Sequence, residues 1–493
     1  MNYGLLFQML LPELIVGLAI VPILAVDLGP MREGARVYRM QVAAGISAVA
    51  CALAFCCMMG IDPNAGLPNS MFSSDPLNVI VKGVILLLTM LTGVLSVDVR
   101  FTRNVGEYYA LILLATVGMM LMVSTENLLM LFVGLELSSL SLYVLAAYDG
   151  KNRAATEAGM KYFLFGGMAA AFMLFGISYV YGLTGSLELP LIGAELVKNG
   201  GDSLLKIALS LILIGFGFKL ALAPFHFWAP DVYQASPIGS AMLIGSASKV
   251  AGIFALAKVL YLGFGSWAWG ADGGYDGYAP LIAVIAVFSM LYGNFAALAQ
   301  TSVRRLLAYS AIAHSGYLLV GVLAPPAAGY QSMIFYVATY GLTTVGAFAV
   351  VSAIQGKGDD LQINDLRGLL QKSPALAVCF LIFILSLAGI PPLVGFFAKF
   401  YVFAAALKAD AGSSLVLMVV VVGVAMSAVS LYYYLMMLKQ VFVVEPEVST
   451  PRALLRPLTR MVVCLIAVAV VVLGCLPSVL MDRLVDAVMI VVR

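Results

Sequence analysis

Lys219 stands inside a long apolar run, Gly215-Phe216-Gly217-Phe218-Lys219-Leu220-Ala221-Leu222-Ala223-Pro224-Phe225-His226-Phe227-Trp228, and Pro224 follows it by five residues. A lysine in hydrocarbon costs at least about 2.5–3.5 kcal/mol, so ionisable groups at membrane depth face the protein interior and usually serve transport. Proline removes a backbone donor and frees a carbonyl, which membrane depth tolerates only where protein or water satisfies it. Discontinuous helices of this kind mark ion pathways in transporters. Lys219 lies too far from either end of its run to carry its ammonium to the surface, so the run reads as a broken transport helix.

The rest of the chain agrees. Hydrophobic residues make up 62% and charged residues 11%, against roughly 25% charged in a soluble domain. A polytopic membrane protein follows. A net charge of +2 gives no electrostatic basis for nucleic-acid binding. Two histidines cannot build a His-rich metal site, and the six cysteines (Cys51, Cys56, Cys57, Cys379, Cys464, Cys475) lie in apolar runs without metal spacing. They read as small core hydrophobes without a disulfide framework. There is no strand pattern for a Gly-rich phosphate loop to follow. The start, Met1-Asn2-Tyr3-Gly4-Leu5-Leu6, lacks the basic region of a secretory signal, so the first run reads as a retained span.

A span needs about 20 apolar residues. That rule gives about fourteen: 4–26, 38–59, 78–97, 107–123, 126–147, 157–182, 204–226, 237–262, 279–299, 302–323, 330–355, 374–407, 413–438 and 460–479. The twelfth is too long for one crossing and contains Ile390-Pro391-Pro392, which predicts a second broken helix. One set of alternating loops carries about sixteen Lys and Arg, among them Arg32, Arg36, Arg100, Arg103, Lys357 and Arg452. The other set, with the C-terminal tail, carries five: Lys198, Lys206, Lys408, Arg483 and Arg493. The basic set is therefore cytoplasmic (or matrix-facing), and both termini lie on the opposite side.

Lys82, Lys161, Lys219, Lys249, Lys258 and Lys399 fall inside runs. Lys82 and Lys258 are near span ends, where a lysine can snorkel; Lys161, near the start of its helix, is open between the two readings. Lys219, Lys249 and Lys399 are deep. Glu136 reads as the one deep carboxylate and, being costly alone, needs a cationic partner, for which Lys219 leads. Spans four to eight and nine to thirteen form two units of five. Five is odd, so the units are inverted relative to each other. Glu136 precedes Lys219 by 83 residues (219 − 136) and His314 precedes Lys399 by 85 (399 − 314). Each unit thus has an ionisable residue on its second helix and a lysine on its broken fourth, although Pro224 follows its lysine whereas Pro391 and Pro392 precede theirs. This repeat rests on topology, without residue-level identity.

Glu136, Lys219, Lys249, His314 and Lys399 form a line suited to carrying protons. Desolvation and a nearby carboxylate pull a lysine's proton affinity in opposite directions, so it loads or releases a proton when its partner moves. Histidine titrates near neutral pH or orients waters. His226 and Asp231, at the cytoplasmic end of span seven, either form the mouth of an uptake path or cap a helix. Moving one charge against 100 mV takes about 2.3 kcal/mol. No residue here offers redox chemistry, so the driving energy comes from a partner.

Lys219-Leu220-Ala221-Leu222-Ala223-Pro224-Phe225-His226-Phe227-Trp228-Ala229-Pro230-Asp231-Val232-Tyr233 resembles the signature of the antiporter-like membrane subunits of respiratory complex I. Arg304-Arg305-Leu306-Leu307-Ala308-Tyr309-Ser310 and Ala313-His314-Ser315-Gly316-Tyr317 resemble their tenth-helix motif. Of the three bacterial kinds, L, M and N, the segment Gly389-Ile390-Pro391-Pro392-Leu393-Val394-Gly395-Phe396-Phe397-Ala398-Lys399 looks like N. Kind M typically has glutamate at the position of Lys399. Kind L has a long lateral helix, for which about fourteen residues after the last span are too few. Glu136 followed by Leu137-Ser138-Ser139 also looks like N. Keeping all fourteen helices favours a bacterium, hence an inner (plasma) membrane with periplasmic termini.

The resemblance implies that Glu136 modulates Lys219, that Lys249 passes the proton toward His314, and that Lys399 is the last lysine before periplasmic release. It also implies a non-redox subunit of a proton-translocating NADH:quinone oxidoreductase. Flavin, iron–sulfur clusters and quinone would sit in partner subunits, with no metal or cofactor held by this chain. The expected partners are other membrane-arm subunits and, through them, the NADH-oxidising arm. The expected fold is an all-α polytopic membrane protein with two inverted five-helix repeats, each with a broken helix. It divides into residues 1–106, 107–262, 279–438 and 439–493. An Mrp-type cation/proton antiporter or membrane-bound hydrogenase subunit, and a purely structural scaffold, are the rival readings.

Overall fold

A computed structural model describes residues 3–61, 71–99, 102–199, 203–269, 277–355, 360–409, 414–445 and 456–491. Met1, Asn2, Arg100, Lys357, Arg452 and Arg493, which entered the sequence argument, lie outside the described residues. Thirteen stretches among those described are long and apolar enough to cross a membrane, and a shorter apolar helix contributes to a fourteenth crossing. No regular strand occurs among them; the only pairings are two isolated bridges.

The first crossing is made by α1 (Tyr3–Leu18) and α2 (Ile20–Leu28), followed by α3 (Arg36–Met58) and α4 (Pro76–Leu95). Asp27 receives two hydrogen bonds from Arg39, at 2.6 and 2.7 Å, and a third from the Gly106 backbone at 2.8 Å. This ties the opening hairpin to the next helix. The first five-span unit comprises α5 (Val105–Ser124), α6 (Leu128–Ala146), α7 (Arg153–Thr184), a connector α8 (Leu189–Asn199), the halves α9 (Ser203–Leu220) and α10 (Ala229–Ala235), and α11 (Ile238–Gly245) with α12 (Ala247–Lys258). The second comprises α13 (Ala279–Leu298), α14 (Val303–Val320), α15 (Pro326–Gln355), a single turn α16 (Leu369–Lys372), the halves α17 (Pro374–Ala388) and α18 (Val394–Ala409), and α19 (Ser414–Phe442). The chain continues through α20 (Pro457–Cys475) to α21 (Ser478–Val491), which packs on α4 and α15.

The two units are equivalent at residue level, which their side chains conceal. Gly118 of α5 meets the backbone of Ser138 and Gly134 so closely that an added Cβ would lie 2.5 Å from Ser138 N. Gly293 of α13 does the same against Ala313 and Tyr309, at 2.6 Å from Ala313 N. All three positions differ by 175 (293 − 118, 313 − 138, 309 − 134). The bridges follow nearly the same register: Asn127 pairs with Glu188, and Ser302, 175 residues after Asn127, pairs with Gln362, 174 residues after Glu188. The first bridge lies at the face opposite the basic loops and the second at the basic face, which is the inversion seen directly.

The breaks have their own register. Ala221 (φ 56°) and Gly389 (φ 85°) turn the chain at the end of α9 and α17, each three residues before a proline, Pro224 and Pro392; both proline peptide bonds are cis. Aligning these turns (389 − 221, 392 − 224) places Lys399 opposite Asp231 and Lys219 opposite Leu387. Each unit does carry a lysine on its broken fourth helix, and Lys219 and Lys399 stand on opposite sides of their breaks, as the order of lysine and proline in each run implied. Likewise His314 corresponds to Ser139, and Glu136 to Ala311, one helical turn away from it.

The eighth crossing is also discontinuous, which the sequence reading missed: Ser246 (φ −120°, ψ −88°) separates α11 from α12. A Gly-Ser pair, here Gly245-Ser246, is one of the few non-proline causes of a kink. The crossings Ile238–Gly263 and Pro326–Gln355 are 100% buried over their apolar windows and Val303–Leu323 is 94% buried, whereas Arg153–Thr184 and Ser414–Phe442 are 33% buried. Three crossings thus form an inner wall screened from lipid. Cys51 and Cys379 are buried as expected of small hydrophobes, but Cys56 and Cys475 are exposed; all six are free.

Gly118→Ala and Gly293→Ala should each destabilise the protein by about 1–3 kcal/mol, because backbone cannot yield as a side-chain tip does. Gly45→Ala, with nothing within 4 Å of its Cβ, should be silent. The thermal-inactivation midpoint of the assembled protein checks this, and equal midpoints for all three would contradict the close-contact reading.

Candidate functional site

Lys219 occupies the last turn of α9, where unpaired carbonyls and the helix dipole favour a cation. Its Nζ donates to Ser138 Oγ at 2.8 Å and Ser139 Oγ at 3.1 Å, both on α6. The expected ion pair with Glu136 is not formed. Glu136 lies on the same helix, half-buried, with Oε1 lacking any hydrogen-bond partner. Two hydroxyls nearby on the helix take the ammonium, while Glu136 acts on it only through space. Serine here supplies what a carboxylate was expected to supply.

The break beside Lys219 is fully serviced, as low dielectric demands. Ala223 N donates to Ser289 Oγ at 3.0 Å, Leu222 N to Gly217 O at 2.7 Å, and Trp228 Nε1 to Phe218 O at 3.0 Å. Trp228 stacks on Tyr162 with centroids 4.1 Å apart.

Ser315 of α14 joins the two units. Its Oγ donates to Leu220 O, next to Lys219, at 2.7 Å, or to Ala311 O at 3.0 Å. The same oxygen accepts from Lys249 Nζ at 2.8 Å, and Lys249 also donates to Ala311 O. Lys249 stands just past the Ser246 break, its ammonium 5.4 Å from the centre of the Tyr340 ring. On that ring's other neighbour, His314, the centroids are 4.8 Å apart. Tyr340 therefore stands between Lys249 and His314. Ser315 was quoted in the tenth-helix motif without a role, and Tyr340 was overlooked; hydroxyls inside apolar runs were the available signal.

His314 is bonded at both ring nitrogens, Nδ1 to Tyr336 OH at 2.8 Å and Nε2 to Tyr434 OH at 3.3 Å. Tyr434 also hydrogen-bonds Ser310. A cavity with room for about one water lies beside the ring, lined by Tyr336, Thr339, Tyr340, Thr343 and Ser386. Beyond it, Lys399 reaches back across its own break: Nζ donates to Ala388 O at 3.0 Å and Ser427 Oγ at 2.8 Å. Its ammonium lies 5.0 Å from the centre of Tyr317, whose hydroxyl accepts from Asn294, itself bonded by Tyr433 beside Tyr434. Lys399 thus serves the terminus of α17, whereas Lys219, in the last turn of α9, gives its ammonium to α6.

At the basic face, Asp231 of α10 accepts from Lys161 at 2.8 Å and from Arg305 at 2.7 Å. Burial alone would raise the Asp231 carboxyl, but these hydrogen bonds hold it below its ordinary value. Gln234 joins Arg305 to Asp360, with bonds of 2.9 and 2.6 Å. Arg304 caps the carbonyls of Tyr233 and Ser236 at the end of α10. The cleft so formed is lined by Glu157, Lys161, Asp231, Gln234 and Gln355. His226 is not part of it: it packs between Phe227 and Tyr292, with neither ring nitrogen hydrogen-bonded.

Lys82 and Lys258 do not snorkel. Both are buried, Lys82 in an ion pair with Glu13 at 2.6 Å and Lys258 bonded to Val123 O at 2.9 Å. Glu136 is consequently not the one deep carboxylate. Depth along a span says nothing about rotation around it, and Glu13 escaped notice in the first run. Among the described residues no group of three or more His, Cys, Asp or Glu is placed to hold a metal ion.

Comparison with known proteins places this geometry. Residues 125–427 match the family described as NADH:quinone oxidoreductase/Mrp antiporter, TM. The chain is 45% identical to NADH-quinone oxidoreductase subunit N 2 of Acidobacterium capsulatum, covering 97% of this chain and 98% of that one. Among solved structures it is similar to a chain of respiratory complex I from Thermus thermophilus with bound aureothin, with a TM-score of 0.80 and 36% identity over 96% of this chain and 99% of that chain. It shares its fold with a chain of the Mrp complex from Dietzia sp. DQ12-45-1b, with a TM-score of 0.80 at 20% identity over 99% of this chain and 97% of that chain. The chain belongs to the NADH:quinone oxidoreductase/Mrp antiporter transmembrane family and, within it, to the subunit N group of NADH-quinone oxidoreductases.

Proposed function

We propose that this protein moves protons across a bacterial inner membrane as the N-type membrane-arm subunit of an NADH:quinone oxidoreductase, driven by quinone reduction in partner subunits. The observation that carries the reading is the link Lys219–Leu220–Ser315–Lys249, which bridges two inverted units through one hydroxyl at two helix breaks. Protons enter from the cleft at Lys161, Asp231 and Arg305, on the side taken as cytoplasmic. They load Lys219, pass by water beside Ser315 to Lys249, cross beside Tyr340 to His314, and reach Lys399 through the tyrosines and the cavity next to the ring. Glu136 biases Lys219 electrostatically from its unpartnered position. His226 is given no part in the transfer. Both termini lie on the periplasmic side in this orientation, and residues 1–106, 107–262, 279–438 and 439–493 act as N-terminal bundle, first unit, second unit and closing segment.

The ammoniums rest on neutral oxygens, so each proton can depart without leaving behind a stranded carboxylate, the costly partner in a broken buried pair. The chain itself takes no part in NADH or quinone chemistry and holds no flavin, iron–sulfur cluster or metal; these belong to neighbouring subunits. An Mrp-type antiporter role is less favoured. Similarity to the Mrp chain is of fold alone, and an ammonium cannot coordinate a metal cation as oxygen ligands do.

In the assembled complex, Lys219→Met should lower quinone-linked NADH oxidation and vesicle proton uptake together by about tenfold or more, the scale of a lost proton-transfer group. NADH oxidation by a water-soluble acceptor, which needs only the peripheral arm, should not change. Wild-type pumping in Lys219→Met would sink the reading in favour of a scaffold. Ser315→Ala should act in the same direction with a smaller loss, while Ser315→Thr, which keeps the hydroxyl, should largely restore pumping; equal pumping by Ser315→Ala and wild type would remove Ser315 from the path.

A further inference from the structure

A second set of buried ionisable groups lies away from the central line, toward the face opposite the basic loops. Glu13 of α1 is 4% exposed and Lys82 of α4 is 7% exposed, and they form an ion pair 2.6 Å long. Ser124, the last residue of α5, donates to Glu13 Oε1 at 3.2 Å. The preceding residue, Val123, accepts from Lys258, which is 3% exposed, at 2.9 Å. Lys258 stands on the same helix as Lys249, nine residues further on (258 − 249), or about 13.5 Å along the axis. Four helices, α1, α4, α5 and α12, thus converge on one charged cluster that the central line does not use.

This cluster is built to hold water. Glu13 Oε2 and Asn78 Oδ1 are buried without a hydrogen-bond partner. A cavity with room for about one water is lined by Ser73, Ser74, Asn78, Lys82 and Ser124. Unpartnered buried oxygens beside a polar cavity are where ordered water sits. Asp75 and Glu126, partly exposed at this end of their helices, act electrostatically on Lys258. A buried ion pair contributes little net stability over apolar residues of the same shape, so packing gives no reason for a carboxylate and an ammonium here.

We propose that Glu13, Lys82 and Lys258 form a proton-exchange station through which the central line reaches the membrane face opposite the basic loops, as a branch leaving at Lys249. The proton departs from the Lys258 ammonium, crosses cavity water beside Ser124, and protonates the Glu13 carboxylate, which frees Lys82 from its pair. Loss of that proton to water at the face restores the pair. The station deepens the proton-translocation reading and rests on it.

The test compares four variants in the assembled complex: Lys219→Met, Lys258→Met, Glu13→Gln combined with Lys82→Met, which removes both charges at nearly constant shape, and Glu13→Asp combined with Lys82→Arg, which keeps both. Quinone-linked NADH oxidation and proton uptake in vesicles are measured, each normalised to NADH oxidation by a water-soluble acceptor. The station predicts at least about a threefold loss of pumping in Lys258→Met and in the double variant, with recovery in Glu13→Asp combined with Lys82→Arg. Wild-type pumping in Lys258→Met while Lys219→Met has lost it would overturn the station and leave the parent reading standing. Wild-type pumping in Lys219→Met would overturn both. Should the double variant fail to assemble, Lys258→Met decides, since it deletes one hydrogen bond to a backbone carbonyl.

Discussion

Lys219, Lys249 and Lys399 each stand beside a helix break and rest their ammonium groups on neutral hydroxyl or main-chain oxygens, and the rest of the architecture follows from that choice of partner. A helix terminus inside a membrane is itself a problem, because its last carbonyls have no intrahelical donors. Lys219, in the last turn of α9, meets the negative end of a dipole, and Lys399 gives the terminal carbonyl of Ala388 in α17 a donor, whereas Lys249, in the first turn of α12, leans on α14 instead. Broken helices and buried lysines are thus a single device. The inner wall of nearly fully buried crossings keeps lipid away from it, and the less buried outer helices face the membrane.

Inversion lets the same device be read in both directions across the bilayer. The units share a backbone scaffold, seen in Gly118 and Gly293, yet differ at the ionisable positions of the central line. Ser139 of one unit stands where His314 stands in the other, and Asp231 where Lys399 stands. The scaffold is duplicated and the ionisable residues set on it are not, so the two halves are chemically distinct.

The number of crossings, the two proline breaks and the deep lysines were legible because they depend on composition and on residues with fixed backbone consequences. The partners were not. Glu136 was assigned to Lys219 on charge alone, but Ser138 and Ser139 sit on the same helix and present hydroxyls that the ammonium reaches first. Lys82 and Lys258 were placed at the surface by depth, while their orientation around the helix, which depends on α1 and α5, decided for the interior. The repeat register stayed hidden because it is carried by backbone approaches, which equate Ser138 with Ala313 and leave only scattered identities such as Gly118 with Gly293. The break at Ser246 carries no proline, only a Gly-Ser pair that many unbroken helices also contain.

Ser315 is where these strands meet, and its hydroxyl has one hydrogen. With Leu220 O at 2.7 Å and Ala311 O at 3.0 Å both in reach, it donates to one at a time, and Ala311 O keeps its bond from Lys249 when the hydroxyl turns to Leu220. The junction between the units is therefore a two-position toggle of atomic width. A turn about one C–O bond thus fastens the second unit to the broken end of α9 or lets it go, with no movement of the backbone.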